Sequence, residues 1–170
     1  ELIYKSFYGY LIAVILRYTN DRYDAEELVN DVFIKVFKAV PQFKLPENRE
    51  EHEKAFKGWI SKIASRTAID FLRTKRSLLS IDDIVEEQEP LTEINIVSAL
   101  NVKDILKLLD ALPETQKMIF NLFEVEGFSH DEIAKLLNIP ESSSRVYLTR
   151  AKNKLRALYS KTIINTYATN

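Results

Sequence analysis

The chain has 170 residues, of which 46% are hydrophobic, and a net charge of −1. That content supports one domain or two small ones with packed cores, and the near-neutral balance argues against a generic cationic coat for nucleic acid. It has no cysteine, which excludes disulfides, thiolate metal sites and cysteine nucleophiles and fits a reducing compartment. No apolar run approaches the roughly 20 residues that cross a bilayer.

Residues 1–19 predict an amphipathic helix, with Leu2, Ile3, Phe7, Tyr10, Leu11, Val14, Ile15 and Tyr18 at helical spacing. Asp24 with Glu27 reads as a capping box, opening a second helix through Leu28, Val32, Phe33, Val36, Phe37 and Val40 to Pro41. The polar stretch from Pro41 to Lys54 holds two prolines and reads as a loop with a helical end. A third helix is expected over Phe56 to Arg76, apolar at Phe56, Trp59, Ile60, Ile63, Ala64, Thr67 and Phe71. It carries Lys57, Lys62, Arg66, Arg73, Lys75 and Arg76 against one acid, Asp70. Aromatics among such cations can stack unpaired bases at about 1–3 kcal/mol each, although the spacing of Trp59 with Ile60 and Ile63 assigns it mainly to the core.

Charge then changes sign. Residues 1–77 carry 14 Lys/Arg and 11 Asp/Glu, residues 78–101 carry none and 6, and residues 102–170 carry 10 and 8. The middle segment, interrupted by Pro90 and without sustained periodicity, reads as a flexible acidic linker between two small helical domains, 1–77 and 102–170. The fold class expected is all-α.

The second domain opens with a helix marked by Val102, Ile105, Leu106, Leu109 and Leu112, and a further one from Pro113 to Glu126 with Met118, Ile119, Leu122 and Phe123 inward. Phe128 to Arg156 then reads as a helix-turn-helix. Ser129 and Glu132 form a capping box, Asn138 can end the first helix in the left-handed conformation, and Pro140 suits the start of the second. Ser144, Leu148, Ala151, Leu155 and Leu158 make an inward seam that leaves Arg145, Val146, Thr149 and Arg150 on a free face. No acid follows Glu141, whereas Arg145, Arg150, Lys152, Lys154, Arg156 and Lys161 do. Such a run favours phosphates, because cations bound there release condensed counterions.

Enzyme chemistry finds no purchase. The two imidazoles, His52 and His130, have no metal or nucleophile spacing; three glycines make no phosphate loop; and neighbouring acids such as Glu26 with Glu27 do not align on a helix. No catalytic residue, metal or cofactor is expected. A polar face at Glu27, Asn30 and Asp31, flanking Leu28 and Phe33, would suit a basic helical partner.

In this order the pieces resemble the extracytoplasmic-function (ECF) group of the sigma-70 family, the promoter-specificity subunits of bacterial RNA polymerase. DAEELVNDVFIKVF resembles the family's polymerase-binding helix and FKGWISKIASRTAIDFLRTKR its minus-10 helix. LPETQKMIFNLFEVEGFSHDEIAKLLNIPESSSRVYLTRAKNKL resembles its minus-35 domain. The resemblance implies that Glu27, Leu28, Asn30, Asp31 and Phe33 meet the clamp helices of the polymerase largest subunit. It places Lys62, Arg66, Asp70, Arg73, Lys75 and Arg76 along the melted minus-10 strand. Arg145, Val146, Thr149 and Arg150 would face the minus-35 major groove, with Ser142 and Ser143 on phosphates. It also implies a contact with the polymerase flap, an anti-sigma factor as partner, no membrane insertion, and a cytoplasmic, nucleoid-associated protein open to sequestration at the inner membrane. The chain departs from the family pattern at Ser65 and Arg66, where Arg-Asn is frequent, at Ser142 and Tyr147, and in its longer loop before Phe56. The rival reading is a helix-turn-helix regulator that binds duplex DNA without polymerase; a helical adaptor that never touches DNA is a third.

Overall fold

A computed structural model of the chain describes residues 2–75 and 107–168, with side chains through Lys161. Regular structure among the described residues is helical throughout, and the chain divides into two compact units, Glu1–Ser80 and Ile81–Asn170. The expected linker, Arg76, and the expected helix positions Val102, Ile105 and Leu106 lie outside the described residues.

In the first unit α1 (Leu2–Ile15), α2 (Arg22–Ala39) and α3 (His52–Lys75) pack pairwise against one another. The core is the periodic stripe of each helix: Leu11, Val14 and Ile15 from α1, Ala25, Leu28, Val29, Val32, Phe33 and Val36 from α2, and Ile60, Ala64, Ala68, Ile69 and Leu72 from α3. Each large aliphatic side chain buried there contributes roughly 1.5–3 kcal/mol, so the three stripes hold the bundle. Pro41, which has no N–H to donate, ends α2 in a single 3-10 turn, Val40–Gln42.

Three boundaries differ from the sequence expectation, the first being that α1 ends at Ile15 rather than residue 19. The cap of α2 is Asp21, whose carboxylate accepts from the N–H groups of Tyr23 at 2.8 Å and Asp24 at 3.3 Å. Asp24 lies within the first turn, its N–H bonded to Asp21, and its carboxylate pairs with Lys75 at 2.6 Å. Helix α3 begins four residues earlier than the apolar pattern does. Asn48 accepts from the Glu50 N–H at 3.0 Å and starts a 3-10 turn, Arg49–Glu51, that leads directly into the helix.

The second unit contains α4 (Glu114–Phe120), α5 (His130–Leu137) and α6 (Glu141–Ala168), preceded by helical residues 107–110. Leu108 and Leu112 are buried there, Leu108 against Leu158, while Leu109 is only half-buried. The expected single helix to Glu126 instead widens after Phe120 into a π-turn, Asn121–Val125, closed by the Glu126 N–H donating to the Asn121 carbonyl at 3.0 Å. The wider turn places Asn121 and Leu122 side by side in the core. Gly127 follows at φ +70°, a left-handed conformation in which a side chain would be strained, and sends Phe128 into the core with its N–H on the Leu122 carbonyl at 2.9 Å.

Candidate nucleic-acid interface

Helices α5 and α6 form the helix-turn-helix. The Ser129 hydroxyl accepts from the Glu132 N–H at 3.2 Å, and Glu132 returns the bond by accepting from the Ser129 N–H at 2.9 Å. Asn138 stops α5 at φ 54°, ψ 46°, and the Pro140 carbonyl accepts the first bond of α6, from the Ser144 N–H at 3.2 Å. The break is three residues, as expected. Ser144, Leu148, Ala151 and Leu158 are buried and Leu155 half-buried, so the inward seam stands as read.

The outer side of α6 gathers Ser142, Arg145, Val146, Thr149 and Arg150, all exposed, with Ser143 half-buried at its flank. Arg145 reaches back to Glu141 at 2.5 Å, and the Thr149 hydroxyl donates to the Arg145 carbonyl at 3.0 Å. Lys152 lies at the edge of this face, where its ammonium meets Glu124 of the π-turn at 2.5 Å and the Phe123 ring at 5.9 Å. The basic run thus has an acidic partner from upstream, which inspection of residues after Glu141 alone does not reveal.

His130 also has more than a first-turn role. Its Nδ1 lies 2.9 Å from the Ser144 Oγ, and its ring stacks on Phe123 at 4.4 Å and 24°. Burial lowers its proton affinity below that of an ordinary histidine, the positive charges of Arg145 and Lys152 lower it further, and Glu141 opposes them.

On α3 the side turned away from α1 and α2 carries Trp59, Lys62, Ile63, Arg66, Asp70 and Arg73 at helical spacing, exposed or half-buried. Asp70 accepts from the Arg73 guanidinium at 2.9 Å. Trp59 is half-buried, within 4.8 Å of the Phe43 ring and 5.7 Å of Phe56, and Phe56 stands 5.1 Å from Phe7. Phe43 belongs to the loop after α2, so that loop supplies one wall of an aromatic patch beside the cations. His52 pins the loop with its Nε2 2.9 Å from the Pro46 carbonyl.

Lys75 leaves this group: two residues past Arg73, it turns to the other flank of α3, where it bonds Asp24 and lies 5.3 Å from the Phe71 ring. Ser65, a departure from the family pattern, is wholly buried and donates to the Ser61 carbonyl at 3.0 Å.

On α2 the expected partner face resolves into two sides. Glu27, Asn30 and Asp31 are exposed, whereas Leu28 and Phe33 point into the core. The exposed side also includes Tyr23, Ile34 (53% exposed) and Phe37 (48%), which the sequence reading did not single out as surface residues. Their spacing contains the signal: 23, 27, 30, 34 and 37 recur with the helical period, opposite the buried 25, 28, 29, 32 and 36. Tyr23 is held protonated to higher pH by the Glu27 carboxylate, through its charge first and a hydrogen bond second. Tyr4 of α1 donates to Asn30 Oδ1 at 3.1 Å.

No group of three or more His, Cys, Asp or Glu is placed to hold a metal ion among the described residues. Nor is any described helix long and apolar enough to cross a membrane. Comparison with known proteins decides between a polymerase subunit and an independent duplex binder. The family model of Sigma-70 region 2 matches residues 3–78, and that of Sigma-70 region 4 matches residues 103–155.

The chain belongs to the sigma-70 family. Its curated relatives set it in the ECF group: it is 22% identical over 161 residues to the ECF RNA polymerase sigma factor SigM of Bacillus subtilis, covering 94% of both chains. It is 27% identical over 158 residues to the sigma factor SigZ of the same organism, covering 93% of this chain and 85% of that one. With the ECF sigma-E factor of Escherichia coli it shares 27% identity over 144 residues, 78% of this chain and 72% of the relative. The fold matches the sigma factor RpoE of Bartonella quintana, solved in complex with the anti-sigma factor NepR, at a TM-score of 0.54 and 21% identity, covering 94% and 95% of the two chains. The sigma factor therefore works with RNA polymerase core and promoter DNA, and the polymerase-independent regulator is not the favoured reading.

Proposed function

We propose that the two units divide promoter reading between them, residues 1–77 binding core polymerase and the minus-10 element and residues 102–170 the minus-35 element, with residues 78–101 as the tether. The observation that carries this reading is the chemical difference between the outer faces of α3 and α6. Lys62, Arg66 and Arg73 lie beside a half-buried Phe43–Phe56–Trp59 patch, the combination a melted strand needs, since unpaired bases expose their ring faces to aromatic side chains and their backbone to cations. Asp70 orients Arg73 within this set, Arg76 adds its charge, Lys75 stays with Asp24 on the other flank, and the loop before α3 captures an extruded base. Arg145, Val146, Thr149 and Arg150 enter the minus-35 major groove, where an arginine can bond a guanine edge in bidentate fashion, and Ser142 and Ser143 meet phosphates at the helix N-terminus.

Core polymerase docks on the exposed side of α2. Glu27, Asn30 and Asp31 supply polar contacts to the clamp helices, Ile34 and Phe37 an apolar centre, and Leu28 and Phe33 hold the helix in place from within. The second unit meets the flap. The protein performs no bond chemistry of its own and acts in the cytoplasm at the nucleoid, where an anti-sigma factor can hold both faces closed, at the inner membrane when that partner is anchored there. The test adds the purified chain to sigma-free core polymerase with a promoter library. Specific run-off RNA is expected; absence of transcript together with absence of core binding in a pull-down would overturn the assignment.

A further inference from the structure

The helix-turn-helix contains a polar joint that base reading does not require. His130, in the first turn of α5, faces Ser144, which lies on the inward seam of α6 and is wholly buried. The Nδ1 to Oγ distance of 2.9 Å is a good hydrogen bond, and the other face of the imidazole is occupied by the Phe123 ring of the π-turn. One side chain of α5 therefore touches both the π-turn before it and α6 after it. Ser144 immediately precedes Arg145, so whatever fixes Ser144 also fixes where Arg145 leaves the helix.

We infer that His130 is a positioning residue for the DNA-reading helix: its hydrogen bond to Ser144 sets the seat of α6 on α5, and with it the approach of Arg145 to the base edges. The inference rests on the minus-35 role of α6. An apolar pair at these positions would fill the same space but would allow α6 to slide along the seam, since apolar contact is non-directional and a hydrogen bond weakens steeply off its axis.

The joint is also surrounded by charge, which makes its protonation state matter. From α6 it faces Arg145, Lys152 and Glu141; from the π-turn, Glu124, which holds Lys152; and on its own helix Asp131 and Glu132 lie adjacent, each occupied locally, by Lys135 and by the Ser129 N–H. Burial and the two cations keep the ring neutral at neutral pH. A proton added to His130 places a third positive charge against Arg145 and Lys152 and pushes Arg145 from its seat.

The experiment uses holoenzyme reconstituted from core polymerase and the full chain, on a promoter recovered by library selection and on the same promoter with one minus-35 base pair changed. The quantity read is the ratio of the two affinities. His130→Phe keeps the stack on Phe123 and removes the hydrogen bond; His130→Asn replaces the Nδ1 position with an amide that can bond Ser144. Discrimination is expected to fall about 3- to 10-fold in H130F, to recover in H130N, and to fall no further when S144A is added to H130F. Wild-type discrimination should decline only on acidification below the ordinary histidine value of about 6.5, because the folded ring takes up its proton less readily, whereas H130F and H130N should show no such decline. Equal discrimination in wild type and H130F, or a pH profile unchanged by the substitution, would overturn the positioning role. A wild-type holoenzyme with no preference at any minus-35 position would instead remove the groove-reading assignment on which it rests.

Discussion

The outer face of α3 carries rings among its cations, and the outer face of α6 carries cations with no ring at positions 145, 146, 149 and 150. Both helices are held by an apolar stripe, and both present arginines, so net charge does not distinguish them. What differs is the form of DNA each can hold. An opened strand offers base faces, which aromatic rings can stack, while an intact duplex offers base edges and phosphates, which arginine and hydroxyl groups reach without any ring. The support differs as well. Helix α3 lies against two long helices along its length, whereas α6 is seated by short elements whose ends are fixed by special backbone states at Gly127 and Asn138.

This contrast can be broken at several points. The largest effect is expected on the surface that belongs to neither DNA face: Ile34→Asp, at an exposed position that costs the core nothing, should reduce core polymerase binding by more than about 10-fold, in line with loss of an interface anchor worth over 1 kcal/mol, as measured in a pull-down titration. Arg145→Ala should lower discrimination at one minus-35 base pair by about 1–3 kcal/mol and leave the others unchanged, checked by competition across single-base variants. Releasing Lys152 by Glu124→Gln should act differently, raising affinity for all duplexes alike by a few fold and steepening the salt dependence by about one phosphate contact. If E124Q changed sequence preference instead, the separation between reading and phosphate contacts on α6 would be wrong.

The smallest effect is on stability against pH. The folded-state proton affinity of His130 is lowered, so the folded unit binds fewer protons than the unfolded chain just below the ordinary histidine value. Its contribution is present above about pH 6.5 and is lost as pH falls from there through the lowered folded value. Thermal melts of the wild type should show this added decline on acidification and melts of H130F should lack it.

Local devices were legible in the sequence and distant ones were not. The reciprocal bonds of Ser129 and Glu132, the left-handed Asn138 and the seam from Ser144 to Leu158 are set by residues a few positions apart, and each appears as read. The pairing of Asp24 with Lys75, 51 residues away, has no local sign, and Asp21 rather than Asp24 caps α2. Lys75, two residues past Arg73, falls on the opposite flank of α3 by the helical period, which its charge alone does not reveal. Exposure of Ile34 and Phe37 follows the helical period shared with Glu27 and Asn30, but both side chains are apolar, so hydrophobicity alone points them inward. The π-turn after Phe120, in which Asn121 and Leu122 are both buried, has no local signature.

The division of labour itself is tested most directly at Trp59. Trp59→Leu keeps apolar bulk against Phe43 and Phe56 and removes the indole face. In holoenzyme on a selected promoter, footprinting of the minus-35 element and permanganate reactivity of minus-10 thymines can be read on the same complexes. Protection at minus-35 should persist while minus-10 reactivity falls about 10-fold, the loss expected for one stacked base. Undiminished opening, or loss of minus-35 protection in step with opening, would contradict the assignment of strand opening to α3 and duplex reading to α6.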